Sequence, residues 1–298
     1  MTRAVAVPEK PILFYGEMVR RILDPVQPKT QTRRLVKWVP LFEGLNLSFS
    51  GLSVGYYCTG VPESGHVLYG RNGSGVWEQR TKPVHCPYGQ PGDRLYVKET
   101  FKIGWTFEHG HGLFYRADGP APDGHPRGDG RPFYCMNGCL NRACKSLQYE
   151  DHRWMVEKYC GNFRKEPWRS SRFMPRWASR ITLEIVDVSV ERLNSIGEED
   201  AIAEGLESVM DNGTGPGPGY KWDGAGYWDG FSRYDGARTW HAPTREGLCC
   251  CYAGRAERLT PARCAFRNLW DHINGKRPGC GWKDNPHVWR IAFRMIEP

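Results

Sequence analysis

The 298-residue sequence predicts an α+β fold: a small closed β-sheet with flanking helices, interrupted by three long irregular insertions. Three observations carry that expectation. Half-buried strand patterns recur at 94–101, 181–190 and 287–296. A well-marked helix starts at Thr260-Pro261 and stops at Gly275. Between these lie Gly- and Pro-rich passages without sustained periodicity, which read as insertions at 39–83, 104–172 and 207–260. The remaining segments, 11–38, 84–103, 173–206 and 261–297, form the core of one domain spanning 11–297.

In chain order, Ile12 to Tyr15 reads as a short buried strand and Gly16 to Asp24 as a helix with Met18, Val19, Ile22 and Leu23 on one face, ended by Pro25. The turn signal Pro91-Gly92-Asp93 leads into Arg94 to Glu99, where Leu95, Val97 and Phe101 share a parity. Glu99 shares it too, and an inward carboxylate needs a partner, for which the basic residues after the first helix are the candidates. Ile181, Leu183 and Ile185 lie on one parity and Val186, Val188 and Val190 on the other, as a bulge or a strand crossing between two faces produces. Ser195-x-x-Glu198 then reads as a capping box for a helix from Ile196 to Glu204, stopped by Gly205. Phe266, Leu269, Trp270 and Ile273 form the apolar stripe of the last helix. Trp289, Ile291, Phe293 and Met295 alternate along the closing strand.

A net charge of +8 and a pI near 8.9 favour a polyanionic partner, with RNA or single-stranded nucleic acid foremost. The N-terminal residues lack the apolar run of a signal peptide, and no stretch approaches the roughly 20 apolar residues of a membrane span. A cytoplasmic protein with no membrane partner is expected. Eleven cysteines in such a context are free thiols or metal ligands before they are disulfides. Cys135, Cys139, Cys144 and Cys160 have spacings open to a structural zinc, but the C-x2-C knuckle is missing, so unrelated free thiols are favoured and no cofactor is required. Cys249-Cys250-Cys251 is a weaker signal still.

The densest chemistry lies in Lys29-Thr30-Gln31-Thr32-Arg33-Arg34. Extended backbone would send Thr30, Thr32 and Arg34 to one face and Lys29, Gln31 and Arg33 to the other. A turn after Pro28 would bring Lys29 beside a hydroxyl, which a desolvated lysine could activate as base. Glu204 ends its helix where the macrodipole disfavours negative charge, which nominates it as a general acid. The stretch 164–180 sets six basic side chains among Trp168, Phe173 and Trp177, so that Arg169, Arg172 and Arg176 suit phosphates while aromatic faces suit bases. Trp177 itself reads first as a ring plugged into the barrel, with a contact role second.

The K-T-x-T-R-R segment after its helix, P-G-D-R-L-Y-V-K-E-T-F, M-P-R-W-A-S-R-I-T-L-E-I, E-E-D-A-I-A-E-G, F-R-N-L-W-D-x-I-N-G and the closing strand together resemble phage and prophage proteins with an ASCH domain. The resemblance covers the four core segments and implies a PUA-like β-barrel with a cleft beside it for a nucleotide or RNA, in a host cytoplasm if the chain is phage-encoded. Small bacterial ASCH proteins that look similar hydrolyse N4-acetylcytidine with a Lys and a Thr from K-T-x-T and a Glu from the helix after the long strand. The matching positions are Lys29, Thr32 and Glu204. In this chain Arg33-Arg34 follows directly where those enzymes space their Arg differently. Two functions follow as expectations. One is recognition of RNA, single-stranded nucleic acid or a modified nucleoside through Thr30, Arg33, Arg34, Glu99, Arg169, Arg172, Arg176 and Trp177. The other is deacylation of an N4-acylated cytidine by Lys29, Thr32 and Glu204.

Overall fold

The computed structural model describes residues 8–47, 51–57, 64–106, 110–118, 128–132, 168–209, 219–221 and 259–296. It is a mixed α+β structure, mostly sheet with few helices. In order run β1 (Glu9–Leu13), α1 (Gly16–Ile22), β2 (Gln31–Leu35), β3 (Ser53–Tyr57), β4 (Gly65–Arg71), β5 (Trp77–Gln79), β6 (Arg94–Lys98), β7 (Phe101–Thr106), β8 (Gly110–Tyr115) and β9 (Gly128–Pro132). They are followed by β10 (Thr182–Arg192), α2 (Glu198–Ala203), β11 (Glu207–Val209), β12 (Gly219–Lys221), α3 (Pro261–Asn274) and β13 (His287–Ile296). The largest sheet has the strand order β1-β6-β10-β13-β2. Among the described residues no helix is long and apolar enough to cross a membrane.

The chain divides into two compact units, one of Met1–Lys10, Arg21–Leu95 and Leu183–Ile296, the other of Pro11–Arg20, Tyr96–Thr182 and Glu297–Pro298. In the first, β13 pairs antiparallel with β2, setting Ile291 opposite Thr32, Arg290 opposite Arg33 and Trp289 opposite Arg34. The alternation of β13 holds for Trp289, Ile291 and Phe293, all buried, whereas Met295 is exposed. Helix α3 buries Phe266, Leu269 and Trp270, and the Phe266 ring lies 6.4 Å from that of buried Trp282. Each such side chain contributes about 2 kcal/mol of hydrophobic burial. In the second unit Phe101, Leu113, Tyr115, Met174 and Ala178 form one buried cluster.

Three local expectations are corrected. The passage 39–83 is not irregular: β3, β4 and β5 form an antiparallel meander in it. Its strands mix Gly, Tyr, His and Trp on both faces, so no apolar/polar alternation marks them. β8 and β9, and β11 with β12, likewise lie within the other two insertions. Next, the capping box at Ser195 does not form. Its hydroxyl donates to Arg192 O, the N-cap of α2 is Gly197 without a side-chain cap, and Leu193–Ser195 is a separate 3-10 turn. The Glu198 carboxylate instead caps α3, accepting from Ala262 N (3.0 Å), Arg263 N (3.4 Å) and the Thr260 hydroxyl. Finally, Trp177 is not a plug. It is 40% exposed, and Met174 and Ala178 fill the core from that segment. Consecutive 3-10 turns at Ser171–Phe173 and Arg176–Ala178 point the two small or flexible side chains inward and the rings outward.

Candidate functional site

The loop between α1 and β2 is built to present Lys29. Asp24 accepts from Val26 N (2.9 Å), Gln27 N (3.2 Å) and Arg21 Nη1 (2.6 Å), and those backbone bonds hold its carboxyl below the usual range. Lys29 N then donates to Arg21 O at 2.8 Å, and Thr30 N to Ala203 O at 3.0 Å, which ties the start of β2 to the end of α2. Gly205 follows α2 with φ +92°, and a Cβ there would lie 3.1 Å from Lys29 Cβ and 3.2 Å from its Cδ. A left-handed residue without a side chain is what lets the lysine stem pass.

Lys29 and Glu204 are each 3% exposed. Lys29 Nζ donates to Glu204 Oε2 at 2.8 Å and also to the Glu204 carbonyl. Arg33 meets three carboxylates: Nη1 to Glu204 Oε1 (3.1 Å), Nη2 to Asp200 Oδ2 (3.0 Å) and Nε to Glu191 Oε1 (2.7 Å). Gln31 Nε2 completes the set on Asp200 Oδ1 at 2.9 Å. Burial pushes the Lys29 ammonium below its ordinary pKa against the pull of Glu204. For Arg33 burial also works against the charge, but Glu204, Glu191 and Asp200 outweigh it and raise the pKa. Glu204 therefore presents both oxygens to cations.

The sequence alternation thus holds through the whole segment, with Lys29, Gln31 and Arg33 all turned to the acids of α2 and β10. Thr32, opposite Ile291 in the ladder, projects from the other face of β2 with buried Trp289 and Ile291, and Arg34 shares that face. Thr30 is exposed, its N–H and C=O both engaged in backbone bonds. Of the three residues nominated for chemistry, Lys29 and Glu204 are in direct contact, and the Thr32 hydroxyl is turned away from the Arg33 side. Asp200 and Glu191 were missed in sequence. Asp200 was within reach, because it stands four residues before Glu204 on one helix and so shares its face.

In the second unit Glu99 is buried, as its parity indicated, and its partner is Arg180: Nε to Oε1 at 3.0 Å and Nη2 to Oε2 at 3.1 Å. Arg180 also donates to Asp118 (2.6 and 3.0 Å) and stacks 4.0 Å over the Tyr115 ring. Burial opposes this guanidinium's charge, yet its hydrogen bonds to the Glu99 and Asp118 carboxylates raise its pKa. This is a locked structural fork. The 168–178 segment is open by contrast. Phe173 is 74% exposed, and Arg172 and Arg176 are exposed beside it and Trp177. Arg176 lies 5.4 Å from the Tyr96 ring centre, Arg169 is pinned by paired backbone bonds to Phe101, and Lys98 Nζ donates to Arg172 O at 2.6 Å.

Cys135, Cys139, Cys144 and Cys160 lie outside the described residues, as does Cys249-Cys250-Cys251. Among the described residues no group of three His, Cys, Asp or Glu side chains is placed to hold a metal ion. Comparison with protein-family models, curated protein sequences and solved structures finds no match to this chain.

Proposed function

We propose that this chain binds single-stranded nucleic acid, RNA foremost, through the 168–178 surface, on an ASCH-type, PUA-like scaffold. One observation carries the reading. Phe173 and Trp177, both solvent-facing, alternate with exposed Arg172 and Arg176 on two turns whose Met174 and Ala178 are anchored in the core. Rings for stacking and cations for phosphates on a fixed backbone are what sequence-tolerant binding needs. The motif order of the core segments and the pairing of β13 with β2 support the scaffold assignment. Lys29 and Arg33, engaged by carboxylates, are outside this interface. The test is a salt titration of RNA binding by the parent and an Arg169→Ala/Arg172→Ala/Arg176→Ala variant. A weaker affinity and a shallower salt slope are expected for the variant, since fewer counterions are released; identical curves would remove the segment from the interface.

A second reading, deacylation of an N4-acylated cytidine-type nucleoside, is favoured by the contact of desolvated Lys29 with Glu204. It requires the Thr32 hydroxyl to reach Lys29 in the liganded state. Incubation with a panel of N4-acylated cytidines followed by chromatography decides it, with Thr32→Ala and Lys29→Ala each expected to abolish turnover. Absence of turnover in the parent would leave binding alone.

A further inference from the structure

The meander β3–β4–β5 carries side chains that no role above uses. Its register pairs Tyr69 with Gln79 and Arg71 with Trp77, so these four project from one face. His66 and Leu68 project from the other, where the His66 ring stands edge-on to buried Trp289 with 5.1 Å between centroids. The first face is covered at Val67, which is buried, but accessible at its other end: Tyr69 is half-buried, Trp77 is 46% exposed, and Arg71 is exposed with its guanidinium carbon 5.0 Å from the Trp77 ring centre. Tyr69 is seated against Gly55, since a Cβ there would come within 2.6 Å of the tyrosine ring. Glycine at that point lets the ring lie down on the neighbouring strand.

The hairpin tip is fixed as well. Asn72 Oδ1 accepts from Ser74 N (3.0 Å) and Val76 N (2.9 Å), Asn72 Nδ2 donates to Glu78 Oε1 (2.7 Å), and Gly75 takes the left-handed φ of +80° that the turn requires. Trp77 is therefore presented by a stiff strand, with little ordering left to be done on binding. Glu78, the acid within the three strands, pairs with Gly70 and so projects from the opposite face. What remains is an aromatic shelf with a guanidinium stacked on it and no carboxylate from its own strands. Flat π-faces carrying negative charge nearby are its complement.

We propose that this face is a second stacking site for single-stranded nucleic acid, the Arg71–Trp77 pair receiving a base and its phosphate and Tyr69 an adjoining base. The inference rests on the reading of this chain as a nucleic-acid binder and adds a contact in the other unit to that of the 168–178 surface. Fluorescence anisotropy with labelled oligouridylate tests both. The proteins are the parent, an Arg71→Ala/Trp77→Ala variant, a Trp77→Phe variant and a Phe173→Ala/Trp177→Ala variant. Loss of the Arg71–Trp77 pair is expected to weaken binding roughly 5- to 150-fold, the span of one stacked base, with Trp77→Phe retaining most of the affinity. Unchanged melting of the Arg71→Ala/Trp77→Ala variant shows that the meander is intact; if it melts early, an Arg71→Gln variant, expected to bind severalfold more weakly, carries the test.

The outcomes separate. Parent-like affinity for a folded Arg71→Ala/Trp77→Ala variant, or for Arg71→Gln, beside a loss in Phe173→Ala/Trp177→Ala overturns this inference and leaves the first reading standing. The reverse pattern overturns the 168–178 reading and keeps the meander. A parent that binds no oligonucleotide overturns both. Self-association of the parent that Trp77→Ala abolishes, without any effect on RNA, assigns the shelf to a protein contact and overturns the inference.

Discussion

Replacing Glu204 by Gln tests the buried charge cluster directly. The substitution keeps shape and the backbone carbonyl that Lys29 also uses, but removes the charge shared by Lys29 and Arg33. An amide can offer its oxygen to one cation only, and its NH2 then confronts the other. Breaking a buried pair on one side costs about 3–5 kcal/mol. Arg33 retains Glu191 and Asp200, and Lys29 retains the carbonyl, so the loss should sit near the lower end, about 3 kcal/mol. Lys29→Met alone leaves Glu204 paired with Arg33 and should cost less, about 1–2 kcal/mol. The Lys29→Met/Glu204→Gln double variant should fall short of the sum of the two singles by at least about 1 kcal/mol, the coupling expected of residues in contact. Urea unfolding followed by tryptophan fluorescence and circular dichroism in parallel gives these numbers, coincident curves licensing a two-state treatment. A Glu204→Gln variant within about 0.5 kcal/mol of the parent, the scale of a neutral surface change, would show that water already solvates the two cations.

Further outcomes are expected. Gly205→Ala forces an L-residue to φ +92° and sets a methyl 3.1 Å from both Lys29 Cβ and Arg21 Cβ, so it should destabilise by more than about 1 kcal/mol in the same urea assay. His287 is buried and its pKa is lowered to about 4, by desolvation first and Arg192 second. Its folded value lies below its unfolded one, so its contribution is complete above pH 6.5 and is lost as the pH falls toward 4. With solvent screening allowed for, the loss should be about 2 kcal/mol; in stability measured against pH, His287→Gln should flatten that interval. Glu198→Ala should cost about 1 kcal/mol by uncapping α3, read as a lowered melting temperature, although the residue lies more than 60 positions before that helix.

Elements with one clean period were legible in the sequence. β13 and α3 each carry an apolar series on one face, and their bounds lie close to those expected. The β3–β5 meander was not legible, because Trp77 faces solvent and Tyr69 is half-buried while Val67 and Leu68, on opposite faces, are both buried, and short strands with rings on both sides mimic an aromatic loop. The alternation of Lys29, Gln31 and Arg33 was readable, and so was the need of Glu99 for a cation. Which cation was not: Arg180 lies 81 residues away, and nothing local distinguishes it from Arg176. Ser195 with Glu198 satisfied the spacing of a capping box, yet the longer reach to α3 competed for the same carboxylate and won by bonding three donors at once.

Helix α2 has six residues, too few to nucleate in water by themselves. What keeps it helical comes from outside. Asp200 and Glu204 are fastened to β2, Glu198 to the start of α3, and the Ala203 carbonyl to Thr30, across sequence separations of up to 175 residues. Such a segment depends on closing loops of up to 175 residues before its contacts are in place, which places it among the later pieces to form during folding. It should also be the first to report trouble. Its amides will exchange with deuterium together, at a rate set by opening of the β2 edge and not by fraying from its own ends.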